Sequence, residues 1–349
     1  MKTPLAFHDS GSWLDGSGPH SDVVISSRIR LARNISGFHF FSQADAQQQI
    51  QVHELIRKNL MATDLKNKVW YLNVEEISSL ERQLLTERHL ISRQLAEQSG
   101  SRGVAIAHDE LFTLMINEED HLRIQALASG LRLHETYESI NRVDELLEEK
   151  MEFSFSPTFG YLTACPTNVG TGIRVSVMMH LPALKLAGHM EKVLNATRDL
   201  HLAVRGLYGE GSEPIGDFFQ ISNQATLGKT EKQIIDELIN QAVKPIIEYE
   251  RMARQKFLDE RPTVLDDKVF RALGTMQNAR LISSEETLYL LSYVRLGICL
   301  GRIKDIQLEN INKLLVITQP AHLQNLCQRK LEPVERDQVR AELIRKYLH

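Results

Sequence analysis

Three short stretches alternate apolar and polar residues with a period of two: "SSRIRL" at 26–31, "HLRIQ" at 121–125 and "IRVSVMM" at 173–179. That period belongs to β-strands, whose successive side chains point to opposite faces. The chain is thereby committed to a sheet with one buried apolar face. Ile29, Leu31, Leu122, Ile124, Ile173, Val175 and Val177 fall on that face. The other face takes Arg28 and Arg30 from the first stretch, His121, Arg123 and Gln125 from the second, and Arg174, Ser176 and Met178 from the third. A fourth apolar stretch, "LAVRGLY", ends its strand on Arg205.

Guanidinium groups on one face repel one another unless an anion sits among them. Guanidinium is always charged, and its planar fork matches phosphate oxygens. A polyphosphate therefore suits such a face, and pairing of each arginine with a distant carboxylate is the alternative. The turn before "HLRIQ" holds Glu118, Glu119 and Asp120 in succession. Taken alone it reads as a solvated hairpin tip. Beside a phosphate site, one of its carboxylates can take a proton from an attacking nucleophile. The polar loop "GEGSEPIGD" at 209–217, with Glu210 and Glu213, reads either as a lid or as an ordinary flexible loop. Cys165, before Pro166, is either a packing residue or a thiolate near cationic groups.

The remaining pattern is α+β. Residues 1–21 are rich in Gly, Ser and Pro and read as a loose arm. "ADAQQQIQVHELIRKNLMA" is a helix, "VWYLNV" a strand, and "SSLERQLLTERHLISRQLAEQ" one helix with a serine start signal. "GVAIAH" and "ELFTLMIN" are strands, and "LHETYESINRVDELLEEK" and "MEKVLNATRDLH" are helices. "FGYLTACPTNVGTGIRVSVMMHLPAL" carries two strands around a Gly- and Thr-rich turn, and "FFQISNQ" is a further strand. From about residue 230 a long helix is expected to bend at Pro245, and from about 263 onward the pattern is wholly helical. "TLGKT" at 226–230 has the end of a phosphate-binding loop but Asn223 where that loop needs glycine. A helix start capped by Thr230 explains it.

Composition narrows the function. Of 349 residues, 41 are basic and 45 acidic, a balance that argues against a general nucleic-acid binder. The three cysteines, Cys165, Cys299 and Cys327, are too few and too scattered for a disulfide framework, and no zinc-ligand spacing occurs. Neither a signal-peptide core nor a membrane-length apolar run is present, so a cytoplasmic protein without a membrane partner is expected.

"SSRIR", "NEEDHLRIQ", "CPTNVGTGIR" and "RGLYGEG" together resemble, in order and spacing, the signature blocks of the guanidino (phosphagen) kinases. The resemblance implies an antiparallel-sheet catalytic domain flanked by helices, over 22–258, after an arm at 1–21 and before an all-helical domain at 259–349. It implies transfer of the γ-phosphoryl of ATP, with Mg²⁺, to a guanidinium nitrogen. Carried over by position, Arg28, Arg30, Arg123, Arg174 and Arg205 hold the nucleotide phosphates, and His89 contacts the nucleotide. The wider ATP set is Ser26, Ser27, Ile29, Val175, Ser176, Val177, Met178, Gly206, Leu207, Tyr208, Gly209 and Glu210. Glu119 handles the guanidinium proton, Glu210 is the second carboxylate on the loop, and Cys165 lies against the guanidinium. No protein metal ligand is implied.

Phosphagen kinases carry a helical domain ahead of these blocks. Here "SSRIR" begins at residue 26, and a helical region follows the blocks instead. This arrangement resembles the bacterial protein-arginine kinase branch of the family. That branch implies a homodimer or higher oligomer, a zinc-binding activator protein, a heat-shock repressor among the substrates, and a Clp-type unfoldase that takes marked proteins. It also implies allosteric phosphoarginine binding through "RDQVRA", with Arg336, Asp337, Arg340 and Ala341. On a helix Arg336 and Arg340 share a face, and a solvated surface is the plain alternative. Two other functions stay open: a kinase for a free small guanidino compound, and a non-catalytic phosphoarginine-binding adaptor.

Overall fold

The structure is a computed structural model that describes residues 11–206 and 215–348. In chain order the elements are β1 (Val24–Arg33), α1 (Ala46–Met61), β2 (Val69–Asn73), α2 (Ser79–Glu87), α3 (Arg93–Glu97), β3 (Gly103–Ala107), β4 (Phe112–Ile116) and β5 (Leu122–Ser129). Then follow α4 (Leu133–Glu148), the two-residue strands β6 (Phe155–Ser156) and β7 (Gly160–Tyr161), β8 (Ile173–His180), α5 (Pro182–Leu186) and α6 (Met190–Asp199). β9 (Leu202–Arg205), β10 (Phe218–Asn223), α7 (Glu231–Glu237) and α8 (Lys244–Glu260) complete the sheet-bearing part. The helices α9 (Pro262–Asn278), α10 (Ser284–Cys299), α11 (Leu308–Ile317), α12 (Pro320–Cys327) and α13 (Pro333–Leu348) end the chain.

An eight-stranded sheet in the order β2-β3-β4-β5-β1-β8-β10-β9 organises the molecule, and its paired strands are all antiparallel. Its apolar face buries Ile29, Leu31, Leu114, Ile124, Val175, Val177 and Ile221 against α1, α4, α7 and α8 in the main core. Among the described residues, the opposite face is covered by apolar packing in two places. Over β3 and β4, Val104, Ile106 and Met115 pack with Leu85, Leu90 and Leu95 around α2 and α3. At the other end, Leu127, Met178 and Phe218 join the C-terminal helices in a second large core. The strip left between these two covers is the arginine-bearing strip.

Several local expectations change. The stretch expected as one helix from 78 to 98 is two, because His89 takes a left-handed φ of 59° after α2. Arg88 is fixed there by a bidentate bond to Glu110 at 2.7 and 2.8 Å, and Gln125 Nε2 donates to the His89 carbonyl at 2.6 Å. The arm is not loose over its described part. Trp13 and Leu14 are buried, and the Arg295 guanidinium donates to the Ser21 and Asp22 carbonyls. Gly18 lies so close to the Ser129–Gly130 backbone that a Cβ there would stand 1.9 Å from the Ser129 carbonyl oxygen. The bend expected at Pro245 is a π-helical turn over Leu238–Val243, with Pro245 in the first turn of α8. Widening the preceding turn accommodates a residue that has no N–H and a bulky ring. The strand expected in "FGYLTA" shrinks to Gly160–Tyr161, so Cys165 follows a loop and caps a 3₁₀ turn at Pro166–Asn168. Thr230 does cap a helix, in a capping box with Gln233.

Candidate active site

Strand pairing brings the five arginines onto one face. Arg30 lies opposite Arg174 on β8 and Gln125 on β5, Arg28 opposite Ser176, and Arg123 opposite Ala32. Through Met178 and Gln220, β10 carries this row to Arg205 on β9. Arg28 Nε donates to Ser176 Oγ at 3.4 Å, and Arg174 Nη2 to Ser222 Oγ at 3.0 Å. The buried Arg30 Nε has no hydrogen-bond partner among the described residues. Burial, then the neighbouring Arg123, Arg174 and Arg205, pull Arg28 down to about 10. Burial, Arg123, Arg28 and Arg174 hold Arg30 well below the ordinary arginine value. Mutual repulsion of this kind is what a bound polyanion relieves.

The same pairing turns four expected nucleotide residues away. Ile29, Val175 and Val177 lie in the main core, and Ser27 Oγ donates to the Gly130 carbonyl at 2.8 Å. Their side chains occupy the apolar face because they stand at odd steps from the arginines, so any contact they make with a nucleotide runs through their backbone. Ser26, Ser176 and Met178 remain on the arginine side. Leu207, Tyr208, Gly209 and Glu210 lie outside the described residues, and Gly206 stands at their edge.

The acidic turn is no solvated tip. Glu118 is 1% exposed and Asp120 2%. Asn117 takes the left-handed φ of 57° that the turn needs, and its side chain donates to the Gln49 and Ser101 carbonyls at 2.8 Å each. Glu118 pairs with Arg123. Burial pushes the Glu118 carboxyl up, but Arg123, Ser92 and Arg30 outweigh it and hold it below its ordinary value. For Arg123, burial pushes down and the Glu118 carboxylate more than offsets it, so its pKa is raised. Burial raises the Asp120 carboxyl, against hydrogen bonds from Ala164 and Asn34. Glu119 is the partly exposed member of the three and lies within the field of Arg123.

Along the sheet from this turn, a pocket is lined by Trp13, Ser26, Arg28, His89, Leu127, Ser176, Met178 and Gln220. The Trp13 ring stands edge-on to His89 with centroids 5.4 Å apart. Burial, then Arg28 and Arg93, lower His89 to about 3, so the imidazole is neutral at physiological pH. Trp13, Leu127 and Gln220 were not foreseen. The only signal for Trp13 is a large aromatic residue in an otherwise polar arm.

In α13, Arg340 is 1% exposed, so the alternative of a solvated face shared by Arg336 and Arg340 does not hold for it. It donates to the Thr318 and Ile282 carbonyls, to Ser284 Oγ and to Asp337 Oδ1, all at 2.6 to 2.8 Å. Ala341 is also buried, whereas Arg336 and Asp337 are half-buried. Arg336 Nη1 donates to the Leu331 carbonyl at 3.0 Å.

With this geometry in hand, comparison with known proteins identifies the group. Residues 51–253, more than half of the chain, match the family described as ATP:guanido phosphotransferase, C-terminal catalytic domain. The chain belongs to that family. Residues 262–349 match the family described as Protein-arginine kinase McsB C-terminal domain. A relative from Pelotomaculum thermopropionicum, named Protein-arginine kinase, is 45% identical over 96% of this chain and 94% of its own length. One from Bacillus pumilus with the same name is 47% identical over 96% of this chain and 93% of its own. The crystal structure of a lombricine kinase superposes with a TM-score of 0.60 at 27% identity, covering 70% of this chain and 72% of that one. The guanidino-kinase resemblance and the antiparallel, helix-flanked fold are thus borne out, and the protein is a phosphotransferase that uses ATP.

Proposed function

We propose that the protein is an ATP-dependent protein-arginine kinase. The observation that carries this reading is the conjunction on one sheet face of five arginines with a buried acidic turn that leaves Glu119 partly exposed. The relatives named Protein-arginine kinase, aligned over nearly the whole chain, supply the acceptor.

Each residue has a distinct task in this reading. Arg28, Arg30, Arg123, Arg174 and Arg205 hold the phosphates and offset the charge of a loose transition state. Ser26, Ser176, Met178 and His89 flank the rest of the nucleotide. An arginine side chain is fully protonated at neutral pH and is a poor nucleophile. Glu119 orients it and takes a proton as its nitrogen attacks the γ-phosphorus and the bond from that phosphorus to the β–γ bridging oxygen breaks, ADP leaving with that oxygen; Glu210 assists from the loop, and Cys165 lies against the guanidinium. Among the described residues no group of three His, Cys, Asp or Glu side chains could hold a metal alone. Mg²⁺ is commonly held by phosphate oxygens, waters and one or two carboxylates, so the site fits an ion that arrives with the nucleotide. When bound, it neutralises developing phosphate charge.

The C-terminal helices serve assembly and regulation in this reading, with phosphoarginine recognised through Arg336 and Asp337. Arg340 bonds to the Thr318 carbonyl just before α12, and the first turn of α12 is capped by the Glu87 carboxylate at 2.8 Å from Ala321 N. Glu87 precedes His89 by two residues. Asp337→Ala is expected to remove the response of activity to free phosphoarginine while basal turnover persists, and an unchanged response overturns this role. A cytoplasmic homodimer or higher oligomer, a zinc-binding activator, a heat-shock repressor as substrate, and delivery of marked proteins to a Clp-type unfoldase belong to the same proposal. Among the described residues no helix is long and apolar enough to cross a membrane.

The test is incubation with Mg-ATP and an arginine-rich unfolded protein, with free L-arginine as control, read by mass spectrometry under non-acidic conditions. Phosphate on protein arginine, weak on the free amino acid, is the expected result. Turnover of free arginine at a rival rate favours a small-molecule phosphagen kinase. The adaptor reading survives only if nucleotide fails to bind. Binding is read by Trp13 emission in a Trp70→Phe background, since these are the only two tryptophans.

A further inference from the structure

Asp120 makes two hydrogen bonds through one oxygen. Its Oδ1 accepts from Asn34 Nδ2 at 2.7 Å and from the Ala164 backbone N–H at 2.7 Å. Ala164 immediately precedes Cys165. Asn34, just beyond the end of β1, makes the rest of the clamp. Its Oδ1 accepts from the His121 N–H at 2.9 Å, and its Nδ2 also donates to the Leu162 carbonyl at 3.0 Å. The Asn34 carbonyl accepts from Ser154 N–H at 2.7 Å. Thr163 Oγ1 closes the segment by donating to the Cys165 carbonyl at 2.8 Å. Two stretches 44 residues apart in sequence are thus fastened to each other by two buried side chains.

A buried carboxylate is unfavourable unless it is well bonded, and an uncharged residue would turn the chain here at lower cost. The three acids therefore divide their work. Glu118 holds Arg123, and Asp120 holds the segment that carries Cys165. Glu119 stands between these two fixed points. We propose that Asp120 and Asn34 are positioning residues for the acceptor, fixing Cys165 at a set distance from Glu119 so that the guanidinium is gripped between them. The inference rests on the reading that Cys165 lies against the guanidinium. It predicts an effect on the acceptor and not on the nucleotide, because neither side chain belongs to the arginine row.

The experiment uses the full-length chain with Asp120→Ala, Asp120→Asn, Asn34→Ser and Cys165→Ser. Site-resolved iodoacetamide alkylation of Cys165 is followed by mass spectrometry, and KM is measured separately for ATP and for an arginine-rich peptide. Asp120→Ala is expected to speed Cys165 alkylation about fivefold and to raise the peptide KM about tenfold, with the ATP KM within about twofold, since a misplacement near 1 Å is felt strongly by a positioned substrate. Asp120→Asn keeps an acceptor oxygen for Ala164 and restores most of both values. If Asp120→Ala does not fold, Asn34→Ser must show the same selective change. Unchanged alkylation, or equal changes in both KM values, overturns the proposal. An unaltered peptide KM in Cys165→Ser overturns the underlying reading of Cys165 instead, and the alkylation result still decides whether Asp120 and Asn34 place that loop.

Discussion

Glu119→Gln lowers kcat about 10³-fold and leaves ATP affinity within about twofold, the range expected when a general base is removed and no phosphate contact is touched. The substitution keeps the shape of the side chain. The hydrogen bonds that Asn117, Glu118 and Asp120 make in the turn are untouched by it. Stopped-flow titration of Trp13 emission with ATP and single-turnover phosphoarginine formation measure the two effects separately. A collapse of ATP affinity in this variant would reassign Glu119 to the nucleotide side. Glu118→Gln is the contrasting change. It withdraws the buried partner of Arg123, and breaking such a pair destabilises a fold by about 3–5 kcal/mol.

Arg30→Met is expected to move stability and activity in opposite directions. Arg30 sits between Arg28, Arg123 and Arg174 on the central strand, and their repulsion adds to the burial that disfavours its charge. Replacing a buried charge that its neighbours repel by an apolar side chain of similar length is expected to raise the melting temperature of the free protein. The same change removes a preorganised phosphate contact and lowers kcat/KM about 10²–10³-fold. Calorimetry with and without inorganic tripolyphosphate reads both ends. The unaltered protein gains about 2.7 kcal/mol of stability at a hundred times its dissociation constant, and the variant gains far less. A variant that melts below the unaltered protein without ligand would mean that the attraction between Arg30 and Glu118 outweighs the repulsion within the cluster, and that the cluster is not held in waiting for an anion.

The period-two patterns made the sheet legible before any fold was known. In "SSRIRL" the alternation alone separates Ile29 and Leu31 from Arg28 and Arg30, and the side chains follow it. The same rule sends the side chains of Ser27, Val175 and Val177 to the other face, a distinction that blocks matched as continuous runs do not make. Helix starts were legible where a cap and its partner lie within four residues, as at Ser78 with Glu81 and Thr230 with Gln233. The break at His89 was not, because it is imposed by Glu110 and Gln125 from other elements. Trp13 became visible as a pocket wall only once Gly18 was seated against Gly130.

The sequence by itself determined which residue types face which way along each strand, because side-chain direction in a strand depends only on parity. From that came the apolar face and the arginine face, while a separate helical periodicity gave the character of the C-terminal part. The tertiary structure alone decided that the arginine-bearing strands β5, β1 and β8 are neighbours and that β10 joins them to Arg205 on β9. It alone decided that the acidic turn is buried, and that Asp120 reaches across to the residue before Cys165. Strand order and burial depend on contacts between stretches far apart in the chain, and no local periodicity carries them.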